Sequence, residues 1–72
     1  MATWHVLYDA PRHQSLSKTI AAVDAYSGWI LGVKLHDDYP SRAIVTVAFH
    51  QYEKASRFAE ANHVLSGPTR KD

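Results

Sequence analysis

Apolar and polar positions alternate along two neighbouring stretches in the middle of the chain. From Trp29 to His36 (WILGVKLH), a strict period of two puts Trp29, Leu31, Val33 and Leu35 on one side and Ile30, Gly32, Lys34 and His36 on the other. From Arg42 to Phe49 (RAIVTVAF), the two sides are Ala43, Val45, Val47, Phe49 and Arg42, Ile44, Thr46, Ala48. This alternation, rich in β-branched residues, predicts two strands. The segment Asp37-Asp38-Tyr39-Pro40-Ser41 between them has turn composition, so the pair is expected to form an antiparallel hairpin. Thr3 to Tyr8 (TWHVLY) predicts an earlier strand, closed by Asp9-Ala10-Pro11 because proline cannot donate to a ladder.

The pattern changes to a helical period in two places. Ser15 is suited to cap a helix N-terminus. Leu16, Ile20, Val23 and Ser27 then recur on one stripe, padded by Ala21, Ala22 and Ala25, and Gly28 sits where a left-handed terminating residue is wanted. Tyr52 to Leu65 predicts a second helix with Tyr52, Ala55, Ala59 and Asn62 inward, joined by Phe58 and Leu65. Gly67-Pro68 is its stop signal. The expected order is β-α-β-β-α. This gives one α+β domain over residues 1–67, with two helices on one face of a three-stranded antiparallel sheet, and a flexible tail over 68–72.

The 72 residues include no cysteine, so neither disulfides nor thiolate zinc sites can reinforce a core of this size. Self-association is the remedy that needs no special residue. Hydrophobic residues make up 46% and charged residues 21%, the balance of a folded chain. Net charge is only +1 and the basic residues are scattered, which argues against the concentrated cationic footprint of a duplex-DNA binder. The sequence opens without a basic and apolar leader, and it contains no run of about 18 apolar residues. A cytoplasmic protein without membrane contact is expected.

Arg42-Ala-Ile-Val-Thr-Val-Ala-Phe49 followed by Tyr52-Glu-Lys-Ala-Ser-Arg-Phe-Ala59 resembles the third strand and second helix of the RNA-recognition motif, a ferredoxin-like fold. Arg42, Val47 and Phe49 match the family's pattern. Ile44 and Thr46 stand where its two base-stacking aromatics belong. The resemblance therefore concerns topology over residues 3–66 and implies a ferredoxin-like sandwich without the RNA-stacking pair. That fold also has a fourth strand. With five residues left after Gly67, it is expected to be short or missing, which would leave a sheet edge open to another chain.

Candidate chemistry is sparse. The five histidines are spread along the chain and no helical metal-ligand pair occurs, although His36-Asp37-Asp38 offers an imidazole and carboxylates at one turn. The serines sit at caps, helices and turns, none in a nucleophile elbow. Gly28, Gly32 and Gly67 form no phosphate loop. No enzyme activity and no cofactor are expected. The sheet face turned from the helices is the more informative feature. It is expected to carry His5, Leu7, Ile30, Lys34, His36, Arg42, Ile44 and Thr46, an apolar centre with a polar rim, which is the layout of a protein interface. Leu7, Ile30, Lys34, His36, Arg42, Ile44 and Thr46 are the candidate partner-binding residues.

The expected function is a non-enzymatic protein-binding module that occludes the surface of a partner protein or pairs with a second copy as a homodimer. In size and architecture it is similar to accessory inhibitors of phages and mobile elements, including anti-CRISPR proteins. A second reading is a nucleic-acid-binding module using Arg42, Lys34, His5 and His36 on the same face. A third is a histidine-based metal or ligand site.

Overall fold

Val6, Tyr8 and Ala10 recur at every second position of one strand, as do Val45, Val47 and Phe49 of another, and all six are buried. The two sets meet across an antiparallel ladder that pairs Val6 with Val47 and Tyr8 with Val45. They form the floor of the core. The computed structural model describes residues 2–11, 14–35, 38 and 41–72, in the order β1 (Thr3–Pro11), α1 (Leu16–Asp24), β2 (Trp29–Leu35), β3 (Arg42–Phe49), α2 (Tyr52–Ala61) and β4 (Val64–Lys71). The strands form one antiparallel sheet in the order β2-β3-β1-β4. Both helices pack on the face that carries Val6, Tyr8, Val45, Val47 and Phe49, α1 over β2 and α2 across β1, β3 and β4.

The α+β class with two helices on one face is as expected, but the sheet has four strands. β4 is full length, with eight residues, and it pairs with β1 from Thr3–Lys71 to Tyr8–Val64. Residues expected to end α2 and to form the tail supply this strand instead. The helix stops at Ala61, where Asn62 turns to extended backbone (φ −130°) and its amide side chain donates to the Phe58 carbonyl at 3.1 Å. The edge expected to lie open beside β1 is therefore covered. Two register shifts interrupt the β1–β4 ladder, around Val6 and next to Tyr8. Gly67 lies at the first with φ +106°, and a Cβ there would come within 2.6 Å of the His5 carbonyl oxygen, so this crossing requires glycine.

A register shift in β2 alters the faces read from strict alternation. Ile30 pairs with Val47 but Gly32 pairs with Thr46, which leaves Leu31 as the extra residue of a bulge. Val33 and Leu35, opposite Val45 and Ala43, keep the helix side as expected. Beyond the bulge the parity inverts: Ile30, expected on the open face, packs against the core, and Trp29, expected among the helices, pairs with Ala48 while still lining the groove beside α1.

α1 begins at Ser15, whose hydroxyl accepts from the Lys18 amide at 3.3 Å, the expected cap. At its other end the left-handed residue is Ser27 (φ 61°), not Gly28. The Gly28 amide donates to the Val23 carbonyl and the Ser27 amide to that of Asp24, the two bonds of a Schellman closure. Gly28 is required for a different reason: a Cβ there would lie 2.4 Å from the Phe49 ring. The inward stripe of the helix is Thr19, Ala22, Val23 and Tyr26, while Leu16 and Ile20, expected to be buried, are exposed. Thr19 is the one buried polar residue among those described, and its hydroxyl is bonded by Gln14 Nε2 at 2.9 Å and donates to the Ser15 carbonyl.

The roof of the core is Phe58 of α2, fully buried. Its ring centroid lies 5.4 Å from Tyr8, 5.4 Å from Phe49 and 5.9 Å from Tyr26, so it joins β1, β3 and the end of α1. Replacing Phe58 by Ala is expected to cost about 3–5 kcal/mol, most of the stability of a chain this size, and Phe58→Leu far less. Urea denaturation followed by circular dichroism checks both; a Phe58→Ala transition close to that of the parent would refute this role. Ser27→Gly is expected to gain about 0.5–1 kcal/mol by relieving the left-handed serine, net of the added chain entropy, and the same titration reads it as a higher midpoint.

Candidate protein-binding surface

The two sides of the sheet differ in how their exposed residues are held. On the open face, ladder register places His5, Leu7 and Asp9 of β1 beside Arg42, Ile44, Thr46 and Ala48 of β3, Gly32 and Lys34 of β2, and Ser66 and Thr69 of β4. Six of the expected residues on this side, His5, Leu7, Lys34, Arg42, Ile44 and Thr46, are thus brought together. Ile30 is on the other side, and His36 lies outside the described residues, as does most of the His36-Asp37-Asp38 turn.

Arg42 is not an unengaged rim cation. Its Nε donates to Asp9 Oδ1 at 2.9 Å and its Nη2 to the Asp9 backbone carbonyl at 3.0 Å. The Asp9 side chain is only 12% exposed against 33% for Arg42, so the pair is partly desolvated and held by two bonds. His63 Nε2 approaches the other Asp9 oxygen at 3.3 Å. This cluster ties β3 and the connection between α2 and β4 to β1. The rest of the face is a shallow depression of about 220 Å³ lined by His5, Leu7, Thr46, Ser66, Thr69 and Lys71, with polar groups interrupting the apolar surface. The described histidines are engaged locally: His5 with the Thr3 hydroxyl at 3.0 Å, His50 against the Trp29 ring at 4.6 Å, and His63 with Asp9. Among the described residues no three histidine, aspartate or glutamate side chains converge as a metal site.

The edge formed by α1 and β2 has the opposite character. Among the described residues seven large apolar side chains are exposed, and five of them lie on these two elements: Leu16 65%, Ile20 42%, Leu31 51%, Val33 58% and Leu35 52%. Between the elements runs a groove of about 350 Å³ lined by Leu16, Ile20, Val23, Trp29 and Ile30, with Asp24 as its single charged residue. Its origin is steric. α1 turns Thr19, Ala22 and Val23 toward the sheet and Leu16 and Ile20 away from it, so it sits against β2 without covering it, and α2 spans the other three strands. Among the described residues β2 is also an outer strand of the sheet, hydrogen-bonded only to β3. An apolar patch and an unpaired backbone edge therefore coincide.

Sequence reasoning missed this surface because alternation sent Leu31, Val33 and Leu35 to the core. No composition signal marks it: it depends on α1 turning Leu16 and Ile20 away from β2, which only the packed structure shows. Compared with protein-family models, curated proteins and solved structures, the chain matches none. Among the described residues no helix is long and apolar enough to cross a membrane.

The contrast between the two sides yields a prediction for Arg42. Arg42→Ala is expected to lower stability by about 1–2 kcal/mol, because it leaves Asp9 partly buried without its guanidinium, while the α1–β2 edge is unchanged. Chemical denaturation together with backbone amide chemical shifts checks this. Shift changes concentrated on α1 and β2 rather than around Asp9 would contradict it.

Proposed function

We propose that this chain is a protein-binding module that works through the α1–β2 edge. The observation that carries the reading is the coincidence, on one strand, of an unpaired backbone edge with exposed Leu31, Val33 and Leu35, continued by Leu16 and Ile20 on the adjacent helix. An exposed strand edge supplies main-chain hydrogen bonds to an added strand, and flanking apolar side chains supply burial and selectivity. Such a surface fits a module whose action is to occupy part of another protein. The strand order β2-β3-β1-β4 with its β-α-β-β-α-β sequence supports a ferredoxin-like fold.

This moves the proposed contact from the centre of the open face to the sheet edge. Of the residues first expected to bind, Ile30 remains, now as part of the groove. Leu7, Ile44, Thr46, Lys34 and Arg42 belong to a face in which the strongest cation is already held by Asp9.

The test compares two substitutions of similar chemistry on the two sides. The parent, Val33→Asp and Ile44→Asp chains are immobilised, and proteins retained from the source cell are quantified by mass spectrometry. Val33→Asp is expected to lose the specific set roughly tenfold or more, the consequence of burying an unpaired charge in the contact, and Ile44→Asp to keep it. The reverse pattern would return the contact to the open face, and retention unaffected by either substitution would overturn the proposal.

A further inference from the structure

We propose that the groove between α1 and β2 selects an extended segment of the partner protein, one that presents an arginine flanked on one side by large apolar residues at every second position. This rests on the reading of the α1–β2 edge as a binding surface and names the chemistry of what it takes.

Asp24 is the observation that singles out this chemistry. It is the last residue of α1, and no basic residue lies in that final turn. The unsatisfied carbonyls of a helix end already place partial negative charge there, so a carboxylate at this position weakens the helix. Among the described residues the Asp24 carboxylate makes no ion pair and no hydrogen bond. By contrast Asp9, Glu53 and Asp72 each hold an arginine. Asp24 is exposed, and it is the single charge lining an otherwise apolar groove. The carboxylate opposes the helix and gains nothing inside the chain. Its complement is a cation from outside.

The sign of that charge selects among occupants. A phosphate backbone or an anionic lipid surface would meet a carboxylate in the groove and be repelled. A purely apolar segment would bury the carboxylate without a partner, which is unfavourable. A basic side chain on an apolar stem satisfies both parts of the surface, its stem against the groove wall and its head on Asp24. Trp29 lines the same groove. Arginine pairs with a carboxylate in a fork and also stacks on an indole, so it suits this combination better than lysine.

The spacing follows from α1. Leu16, Ile20 and Asp24 succeed one another at intervals of four residues and all line the groove. Each interval advances about 6 Å along the helix axis. The groove therefore runs from an apolar end to an acidic end in two steps of that length. An extended peptide advances about 3.3 Å per residue, so its same-side residues recur at nearly the same interval. An arginine on Asp24 sets the residue two positions away beside Ile20 and the residue four positions away beside Leu16. The bulge at Leu31 interrupts the adjacent strand edge, which leaves the selectivity to these side chains.

The test selects a random-sequence peptide library, displayed on phage, against the immobilised parent, Asp24→Asn and Asp24→Lys chains. The parent is expected to enrich arginine with large apolar residues two and four positions away. Asp24→Asn is expected to keep the apolar pair and lose the arginine, and Asp24→Lys to replace it by aspartate or glutamate. A synthetic peptide of the enriched sequence is expected to bind about three- to tenfold more weakly when its arginine is replaced by glutamine, with the difference shrinking as salt rises. Asp24→Asn is expected to raise the urea midpoint of the free chain; a lowered midpoint would make the carboxylate a structural group and overturn the inference. Arginine enrichment that survives Asp24→Asn overturns it, as does enrichment of apolar peptides without arginine, which would mean a purely apolar occupant. No enrichment overturns it too, and a doubled chain mass in sedimentation would then assign the groove to a second copy. In each of these cases the protein-binding reading is decided separately: it stands if Val33→Asp still loses the proteins retained from the source cell, and falls with the inference if it does not.

Discussion

Phe58 is the contact on which the rest of the molecule depends. Without disulfides, this chain must hold two helices and four strands together by packing alone. One ring from α2 touches Tyr8 of β1, Phe49 of β3 and Tyr26 at the end of α1, with edge-to-face geometry toward both tyrosines. Burying so large a side chain at the junction of the layers gives more area per residue than aliphatic packing provides, and the tilted rings add a directional preference. Gly28 belongs to the same arrangement, since the chain must pass close to Phe49 as it leaves α1 for β2. The aromatic cluster thus fixes where α1 ends as well as where α2 lies.

That concentration of the core has a cost at the periphery. The rings gather beneath α2, over β1 and β3. α1 is left to cover β2 with Thr19, Ala22 and Val23, and its larger residues, Leu16 and Ile20, are turned out. The uncovered strand is therefore a result of how this short chain distributes its few large side chains. A longer α1 stripe of bulky residues would have closed the groove and removed the exposed edge surface with it. Core packing and candidate function are two sides of one allocation.

What could be read from the sequence follows the regularity of each segment. Alternation through Arg42–Phe49 is unbroken, so β3 and its faces were legible to the residue. Ser15 was legible as a cap because its role is local. The open-face placement of Leu7, Lys34, Arg42, Ile44 and Thr46 was legible for the same reason as β3. The inversion at Ile30 was not, because a single extra residue at Leu31 reverses the parity of everything before it and leaves no mark in composition. Ser27 took the left-handed position that glycine usually fills, since Gly28 was needed against Phe49. β4 was hidden by Gly67-Pro68, a pair that normally ends structure and here sits inside a strand whose two register shifts erase any period. The engagement of Arg42 by Asp9 was out of reach because it depends on which strands are neighbours, and the ion pair spans 33 positions of sequence.

The irregularity of β4 also protects one edge of the sheet. A sheet with two receptive edges can add copies without limit, which is the geometry of fibrils. Here one edge is kinked by Gly67, deprived of an amide at Pro68 and flanked by cations, so growth from that side is blocked. The proline that obscured the fourth strand thus also guards that edge against the addition of another strand.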